Sequence, residues 1–264
     1  MLAAFAAIAI DCGMARAASP DSSGGVWFQQ HKPNYLTTYY SNEAADSNSP
    51  WLELQVSLRF ALMSAIGDAN KLTIPYFPDG APILAFTLHA WWAVADSSSP
   101  FAELDWNPQV YYSMFDDSGI PVWKGIEFDG LNVGWEHVST GVSGVDSRGW
   151  DRAVAEGQLD WRAFTVYLRP WWTFNYDTFT EDIASVVNIK GTDFGGEAIV
   201  KLVTDQFAAA VTIGNSYQDY ELTVPLRDLW NVALYGQLHQ GYSQSLVTYA
   251  EKVTSGGAGI ILKR

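Results

Sequence analysis

Residues 52–62 read LELQVSLRFAL, and apolar side chains stand at every second position of this stretch. Leu52, Leu54 and Leu58 share one face of an extended chain, because successive side chains of a strand point to opposite sides. The stretch is long for a strand of a globular protein and suits a tilted strand that crosses a bilayer in about 9–11 residues. The pattern therefore predicts an amphipathic, membrane-spanning strand.

The same alternation recurs along the chain, and turn-rich pieces such as residues 67–70 and 215–216 separate the runs. We count roughly twelve strands, an even number as in bacterial single-chain barrels. The sequence therefore predicts an all-β fold, a transmembrane antiparallel β-barrel of about twelve strands. A soluble β-sandwich would also alternate, although its strands are usually shorter. Several tryptophans stand at expected strand ends, where an aromatic girdle belongs: Trp91, Trp92, Trp106, Trp171 and Trp172.

Composition limits the classes of partner. Lys+Arg 15 against Asp+Glu 29 gives a net charge of −14, which argues against a nucleic-acid partner because binding phosphates needs a basic face. Aromatic residues make up 14% of the chain and suit a membrane–water boundary, where an apolar ring and its polar edge are both accommodated. The single cysteine, Cys12, allows no disulfide framework.

The N-terminal region predicts export. Residues 2–10 are wholly apolar, and Ala15 and Ala17 place small side chains at the two positions that a signal peptidase reads. We therefore expect residues 1–17 to be a signal peptide that is removed, residues 18–33 to be a periplasmic tail, and residues 34–264 to form the barrel. The expected location is the bacterial outer membrane.

Candidate chemistry concentrates at the end of one predicted strand. Phosphate-loop, dinucleotide, zinc and Gly-x-Ser-x-Gly motifs are absent from the sequence. His137 and Ser139 end an apolar stripe of period two that we expect to face lipid. Residues i and i+2 stand about 7 Å apart along a strand, so Ser139 Oγ can meet a nitrogen of His137, which would act as its base. The alternative is an interfacial histidine beside an unrelated serine.

A carboxylate on the next predicted strand completes the candidate site. After a loop over residues 141–149, residues 150–156 are expected to form the neighbouring antiparallel strand, with Asp151 across the hairpin from His137. A carboxylate there would orient the imidazole and stabilise its protonated form, as in other catalytic triads. An ion pair between Asp151 and a nearby arginine is the alternative interpretation.

Two stretches of this region form a specific pattern: His-x-Ser at residues 137–139 and Ser-Arg-x-Trp-x-Arg at residues 147–152. Weaker pieces accompany it in a fixed order over nearly the whole mature chain: residues 90–92, 98–101, 169–171 and 241–246. With these motifs the chain resembles outer-membrane phospholipase A, a family of Gram-negative bacteria. The resemblance implies a barrel that hydrolyses acyl esters of phospholipids and lysophospholipids, with its active site on the outside of the wall.

The resemblance also implies roles for individual residues. Ser139 would be the nucleophile and His137 the base, and Asp151 stands where the family usually has Asn. A carboxylate should serve the orienting role at least as well, since Asp is a usual third member of triads.

Calcium and a second subunit belong to the same expectation. The metal contacts would be the Ser147 side chain, the Val142 carbonyl and the side chain of Ser98 of the partner subunit, so the active form would be a homodimer. A Gln that helps the family's dimer is replaced here by Leu88. The expected partners are therefore phospholipid, the outer membrane, Ca²⁺ and a second copy of the chain.

Two other functions stay open at this point. A non-catalytic pore or structural barrel would need its polar side chains in the lumen rather than on the lipid side. A soluble, secreted sugar-binding sandwich is supported only by the 12 tryptophans. His137 and Ser139 on the outer face favour the hydrolase over the pore.

Overall fold

The computed structural model of the chain describes residues 29–42, 51–61, 80–114, 119–144, 147–176, 186, 188–226 and 231–262. The expected signal peptide, residues 1–17, and the turn expected at residues 67–70 lie outside these ranges. Within the described ranges, no helix is long and apolar enough to cross a membrane.

Strands make up most of the described chain, and the spanning ones are long, as the period-two pattern predicts. In chain order they are β1 (Gln29–Gln30), β2 (Asn34–Ser41), β3 (Trp51–Ala61), β4 (Ala81–Trp92), β5 (Phe101–Met114), β6 (Ile120–Trp123), β7 (Ile126–Ser139), β8 (Gly149–Trp161), β9 (Phe164–Tyr176), β10 (Phe194–Val203), β11 (Ala208–Gly214), β12 (Tyr217–Pro225), β13 (Val232–Gly241) and β14 (Val253–Leu262).

Twelve of these strands close into one antiparallel barrel. Strand β3 pairs with β4 on one side and with β2 on the other, and β2 pairs with β14, so the sheet returns to its beginning. The short strands β1 and β6 lie outside this ring and add to β3 and β7. A closed sheet leaves no unpaired edge, so backbone hydrogen bonds are satisfied within hydrocarbon. The prediction of about twelve transmembrane strands is confirmed.

The wall turns apolar side chains outward and polar side chains inward. Leu168, Leu222 and Leu234 are 48%, 49% and 50% exposed, although they are large aliphatic residues. Glu53 and Ser57, which alternate with the leucines of β3, are 3% and 0% exposed. This distribution inverts that of a soluble protein and is the one expected where lipid surrounds the wall.

The lumen contains a network of ion pairs. The guanidinium nitrogens of Arg169 on β9 lie near three carboxylates: Nη2 is 2.6 Å from Glu136 Oε2, Nη1 is 3.2 Å from Glu197 Oε1, and Nε is 3.8 Å from Glu156 Oε2. Arg152 adds a contact of 3.7 Å to Glu136. Buried charges are tolerated when they are paired and hydrogen-bonded, and this network ties β7, β8, β9 and β10 together from the inside.

The end of the segment that we expected to be a periplasmic tail reaches into the barrel. Residues 29–30 form β1 against β3, and His31 Nε2 lies 2.6 Å from Gln109 Oε1. Lys32 Nζ donates to Asn107 Oδ1 at 3.1 Å. Both partners are inward-facing residues of β5, so His31 and Lys32 lie in the lumen, a position that no alternation in the sequence marks.

The tryptophans predicted as girdle residues divide between the two faces. Trp106 and Trp172 are 40% and 46% exposed, whereas Trp91 and Trp171 are 3% and 4% exposed. Neighbouring residues of a strand point to opposite faces, so only one member of a Trp-Trp pair can meet lipid. The girdle prediction is therefore wrong for Trp91 and Trp171. Trp171 Nε1 instead donates to Asn188 Oδ1 at 2.8 Å.

Candidate active site

Strands β7 and β8 pair so that the candidate residues meet at one end of the wall. The register places His137 opposite Asp151 and Ser139 opposite Gly149. Trp135, which shares the face of His137 by alternation, is 37% exposed, as expected on the outside of the barrel. The predicted position of Asp151, across the hairpin from His137, is confirmed.

Three donors surround the carboxylate of Asp151. His137 Nδ1 lies 2.9 Å from Oδ1, and Trp135 Nε1 donates to the same oxygen at 3.1 Å. Asn175 Nδ2 donates to Oδ2 at 2.6 Å. With its proton on Nδ1, the imidazole of His137 presents Nε2 as an acceptor. The Asp151 side chain is only 14% exposed, so water competes little for its oxygens.

Asn175 reaches this site because of a β-bulge. The pairing of β8 with β9 shifts by one residue between Asp151 and Arg152, which leaves Phe174 as the extra residue of β9. Phe174 and Asn175 both turn to the outer face and are exposed, while Thr173 points inward and is 1% exposed. Strict alternation would place Asn175 inside with Thr173, and bulges commonly redirect side chains beside active sites. The sequence carries no signal for this shift, so Asn175 was not among the predicted site residues.

Ser139 stands two residues beyond His137 on the same face, between Gly149 of β8 and Trp106 of β5. A Cβ on Gly149 would lie 3.3 Å from the Ser139 Cβ and 3.0 Å from the Val138 carbonyl oxygen, so glycine keeps the space beside the hydroxyl open. Within the described residues, no hydrogen bond joins Ser139 Oγ to His137, so the predicted contact is not made here. Such contacts often tighten only when substrate is bound.

The loop between β7 and β8 also carries the predicted calcium contacts of one subunit. Val142 and Ser147 lie on this loop, where Ser147 N donates to the Gly144 carbonyl at 3.1 Å. Ser98 lies on the separate loop between β4 and β5, with a φ of 68°. Asp146, the one carboxylate in the sequence of this loop, lies outside the described residues.

These residues suit a hard cation by the chemistry of their donors. Carbonyl and hydroxyl oxygens are the ligand types that Ca²⁺ takes in proteins. Among the described residues, no group of three or more His, Cys, Asp or Glu side chains could hold a metal ion. The three predicted contacts, at Ser98, Val142 and Ser147, are neutral oxygens of these types, and Asp96 adds a carboxylate to the loop that carries Ser98.

Comparison with known proteins supplies the family. A family model described as phospholipase A1 matches residues 15–262. The chain is 27% identical over 241 residues to phospholipase A1 of Salmonella typhimurium, covering 86% of this chain and 78% of that protein. It is 25% identical over 241 residues to phospholipase A1 of Escherichia coli K12, with the same coverage.

Two solved structures share the fold. Outer membrane phospholipase A from Escherichia coli superposes with a TM-score of 0.75 at 22% identity, covering 89% of this chain and 91% of that one. The Salmonella typhi outer membrane phospholipase dimer with bound calcium superposes with a TM-score of 0.74 at 22% identity, covering 89% and 92%. With a family match over nearly the whole sequence and a closed barrel of twelve antiparallel strands, the chain belongs to the phospholipase A1 family of the bacterial outer membrane.

Proposed function

We propose that the chain is a calcium-dependent phospholipase that hydrolyses acyl esters of phospholipids and lysophospholipids at the membrane surface. The observation that carries the proposal is the 2.9 Å contact between His137 and Asp151 on the lipid-facing side of the wall. An ionisable pair on that side costs free energy, and a structural barrel gains nothing from polar groups there. The pair therefore indicates a function.

Each residue of the proposed triad has a defined task. Ser139 Oγ attacks the ester carbonyl carbon while its proton passes to His137 Nε2. The protonated imidazole then gives that proton to the departing alcohol, which leaves as a lysophospholipid or a glycerophospho-alcohol. Water then attacks the acyl-serine carbonyl with the same two proton transfers through His137, and the fatty acid is released. Asp151 holds the ring through Nδ1 and stabilises the imidazolium that forms.

The backbone after Ser139 supports the developing oxyanion in this proposal. Gly141 has a φ of 71°, a conformation that favours glycine, and a Cβ there would lie 3.0 Å from the Trp106 ring. Backbone N–H groups near Ser139 and Gly141 are the candidates for stabilising the negative oxygen of the tetrahedral intermediate.

The surroundings of the triad suit a substrate that stays in the membrane. Trp106, Trp135 and Trp172 are exposed on the same outer face, and Phe86 packs against Trp106 with a centroid distance of 5.8 Å. Acyl chains of the lipid can therefore lie along the apolar wall while the ester reaches Ser139. The apolar wall removes the need to draw the substrate into the lumen.

Calcium would be held by the Val142 carbonyl and the Ser147 side chain of one subunit and by Ser98 of the partner subunit. When bound, the ion would polarise the ester oxygen or water as a Lewis acid. A relative solved as a dimer with bound calcium supports this part of the proposal.

A passive pore receives less support from the lumen. A cavity of about 480 Å³ remains inside, but the Arg169 network and the inserted His31 and Lys32 occupy the interior beside it. The polar side chains of His137 and Asp151, in contrast, lie outside, where a pore has no use for them.

The proposal is tested with the refolded chain in mixed micelles of detergent and a diacyl phospholipid. We expect fatty-acid release in Ca²⁺ and a large loss when a chelator is added, measured by continuous titration of the released acid. Intact barrels that release no fatty acid in calcium would contradict the proposed activity. Release that a chelator leaves unchanged would contradict its calcium dependence.

A further inference from the structure

The loop between β13 and β14, residues 242–252, folds into a compact unit rather than extending away from the barrel. Ser243 N donates to the Tyr249 carbonyl at 3.2 Å, and Thr248 N donates to Ser245 Oγ at 3.1 Å. Leu246, at the centre of this loop, is 1% exposed. A leucine of a surface loop that is fully buried must pack against something fixed.

Leu246 packs against the inner side of the two strands that carry the candidate triad. Its neighbours are Val138 of β7, Trp150 of β8 and Tyr249 of its own loop. Val138 and Trp150 face each other across the strands, between the outward pair His137–Asp151 and the position of Ser139. Leu246 therefore lies directly behind the proposed active site, with only the thickness of the wall between them.

Other elements hold the loop in this position. Val247 N donates to Glu103 Oε1 of β5 at 2.8 Å, and Tyr242 N donates to the Ser216 carbonyl at 3.1 Å. Gln244 bonds to Ser255 of β14 and accepts from Tyr39 OH at 3.0 Å. Contacts with β2, β5, β14 and the β11–β12 turn thus fix the loop from several sides.

We propose that Leu246 is a positioning residue, which sets the spacing of His137, Ser139 and Asp151 from inside the barrel. This inference rests on the proposed function of those three residues. The triad stands at the ends of its strands, where few further ladder hydrogen bonds restrain the backbone. A displacement of about 1 Å in such a constellation lowers turnover roughly 100-fold.

The test is the substitution Leu246→Ala, which removes the contact and leaves a cavity behind Val138 and Trp150. Two matched controls accompany it. Ile261→Ala removes a buried aliphatic side chain of similar size, 8% exposed, in a cluster with Ala233 and Tyr235. Val247→Ala changes the next residue of the loop, which is 58% exposed and keeps its backbone bond to Glu103.

We expect Leu246→Ala to lower kcat at least tenfold with KM changed by less than twofold, in barrels that still migrate in the folded position on unheated gels. Leu246→Met should restore most of kcat, because it refills the volume. Both control variants should stay within twofold of the parent. Parental kcat in Leu246→Ala, or an equal loss in Ile261→Ala, would overturn the inference.

A second measurement separates this inference from the proposed function. Nuclear magnetic resonance of ring-labelled histidine in detergent reports the surroundings of His137 whether or not the chain hydrolyses lipid, and His137→Gln assigns its signal. The signal should move in Leu246→Ala and stay in place in Ile261→Ala. A signal that is unchanged in Leu246→Ala contradicts the positioning role, even in an active enzyme.

Discussion

Replacing Asp151 tests how the carboxylate controls His137. Two donors, His137 Nδ1 and Trp135 Nε1, converge on Oδ1 at 2.9 and 3.1 Å. In Asp151→Asn, these donors favour the amide oxygen at this position, so the ring keeps its acceptor. An amide that turned its NH₂ group to the ring would instead stabilise the wrong tautomer. Asn175, which donates to Oδ2 in the parent, then has to turn its own amide so that its oxygen accepts from the new NH₂ group. With that turn, the geometry around Trp135 predicts that Asn is tolerated here.

The size of the effect follows from the type of hydrogen bond. A bond to a charged group contributes about 1.5–3 kcal/mol, and about 1.4 kcal/mol changes a rate tenfold. We expect Asp151→Ala to lower kcat roughly 10- to 150-fold by this conversion. Asp151→Asn keeps a neutral bond of about 1 kcal/mol and should stay roughly fivefold more active than Asp151→Ala.

The assay is fatty-acid release under saturating substrate and calcium, with gel migration of unheated barrels as the folding control. The variant Trp135→Phe serves as a matched probe, because it removes the indole donor and keeps an aromatic ring. In a Trp135→Phe background, Asp151→Asn should lose its advantage over Asp151→Ala, since the amide is then free to turn. If Asp151→Asn and Asp151→Ala lose equal activity while Trp135 is unchanged, the orienting role of Asp151 is refuted.

Three further predictions concern the metal, the dimer and the lumen. Ser147→Ala should raise the calcium concentration needed for half-maximal activity at least tenfold while the barrel still forms, as a calcium titration of hydrolysis will show; an unchanged requirement would contradict the assigned contact. Leu88 stands where the resemblance expects a polar dimer residue, so the proposed dimer should depend on its ligands. Chemical crosslinking in detergent should give mostly monomer with chelator and dimer with calcium plus a non-hydrolysable substrate analogue, because a ligand that binds only the dimer favours it. A dimer population that does not respond to chelator would contradict the proposed shared site. Glu136→Gln should lower the unfolding free energy by about 3 kcal/mol, because it removes the carboxylate that Arg169 and Arg152 share. The same change at the exposed Glu251 should leave the unfolding free energy nearly unchanged, and urea titrations measure both variants.

The barrel and the core of the site follow from alternation in the sequence. A period of two over long runs predicts tilted membrane strands, and the short loop before residue 149 brings β8 back beside β7. These local rules suffice to place His137 opposite Asp151. They also identify the outer face, since Leu131, Val133 and Trp135 continue the stripe that ends at Ser139.

Features that break alternation or depend on distant contacts were missed. Asn175 reaches the outer face only through a β-bulge, and no residue type in the sequence predicts that bulge. The inward positions of His31 and Lys32 depend on their partners in β5. The burial of Leu246 likewise depends on strands far from it in sequence. Neighbouring tryptophans of a strand point to opposite faces, so the sequence pattern does not show which ring of a Trp-Trp pair faces lipid.

The central claim is that a serine on the outside of the wall is the nucleophile. The most direct test is phospholipid hydrolysis by Ser139→Ala, compared with the parent chain in the same micelles with calcium. We expect fatty-acid release to fall to the background of the lipid alone, while the variant keeps the heat-modifiable gel migration of a folded barrel. Near-normal turnover by folded Ser139→Ala barrels would contradict the assignment of the active site.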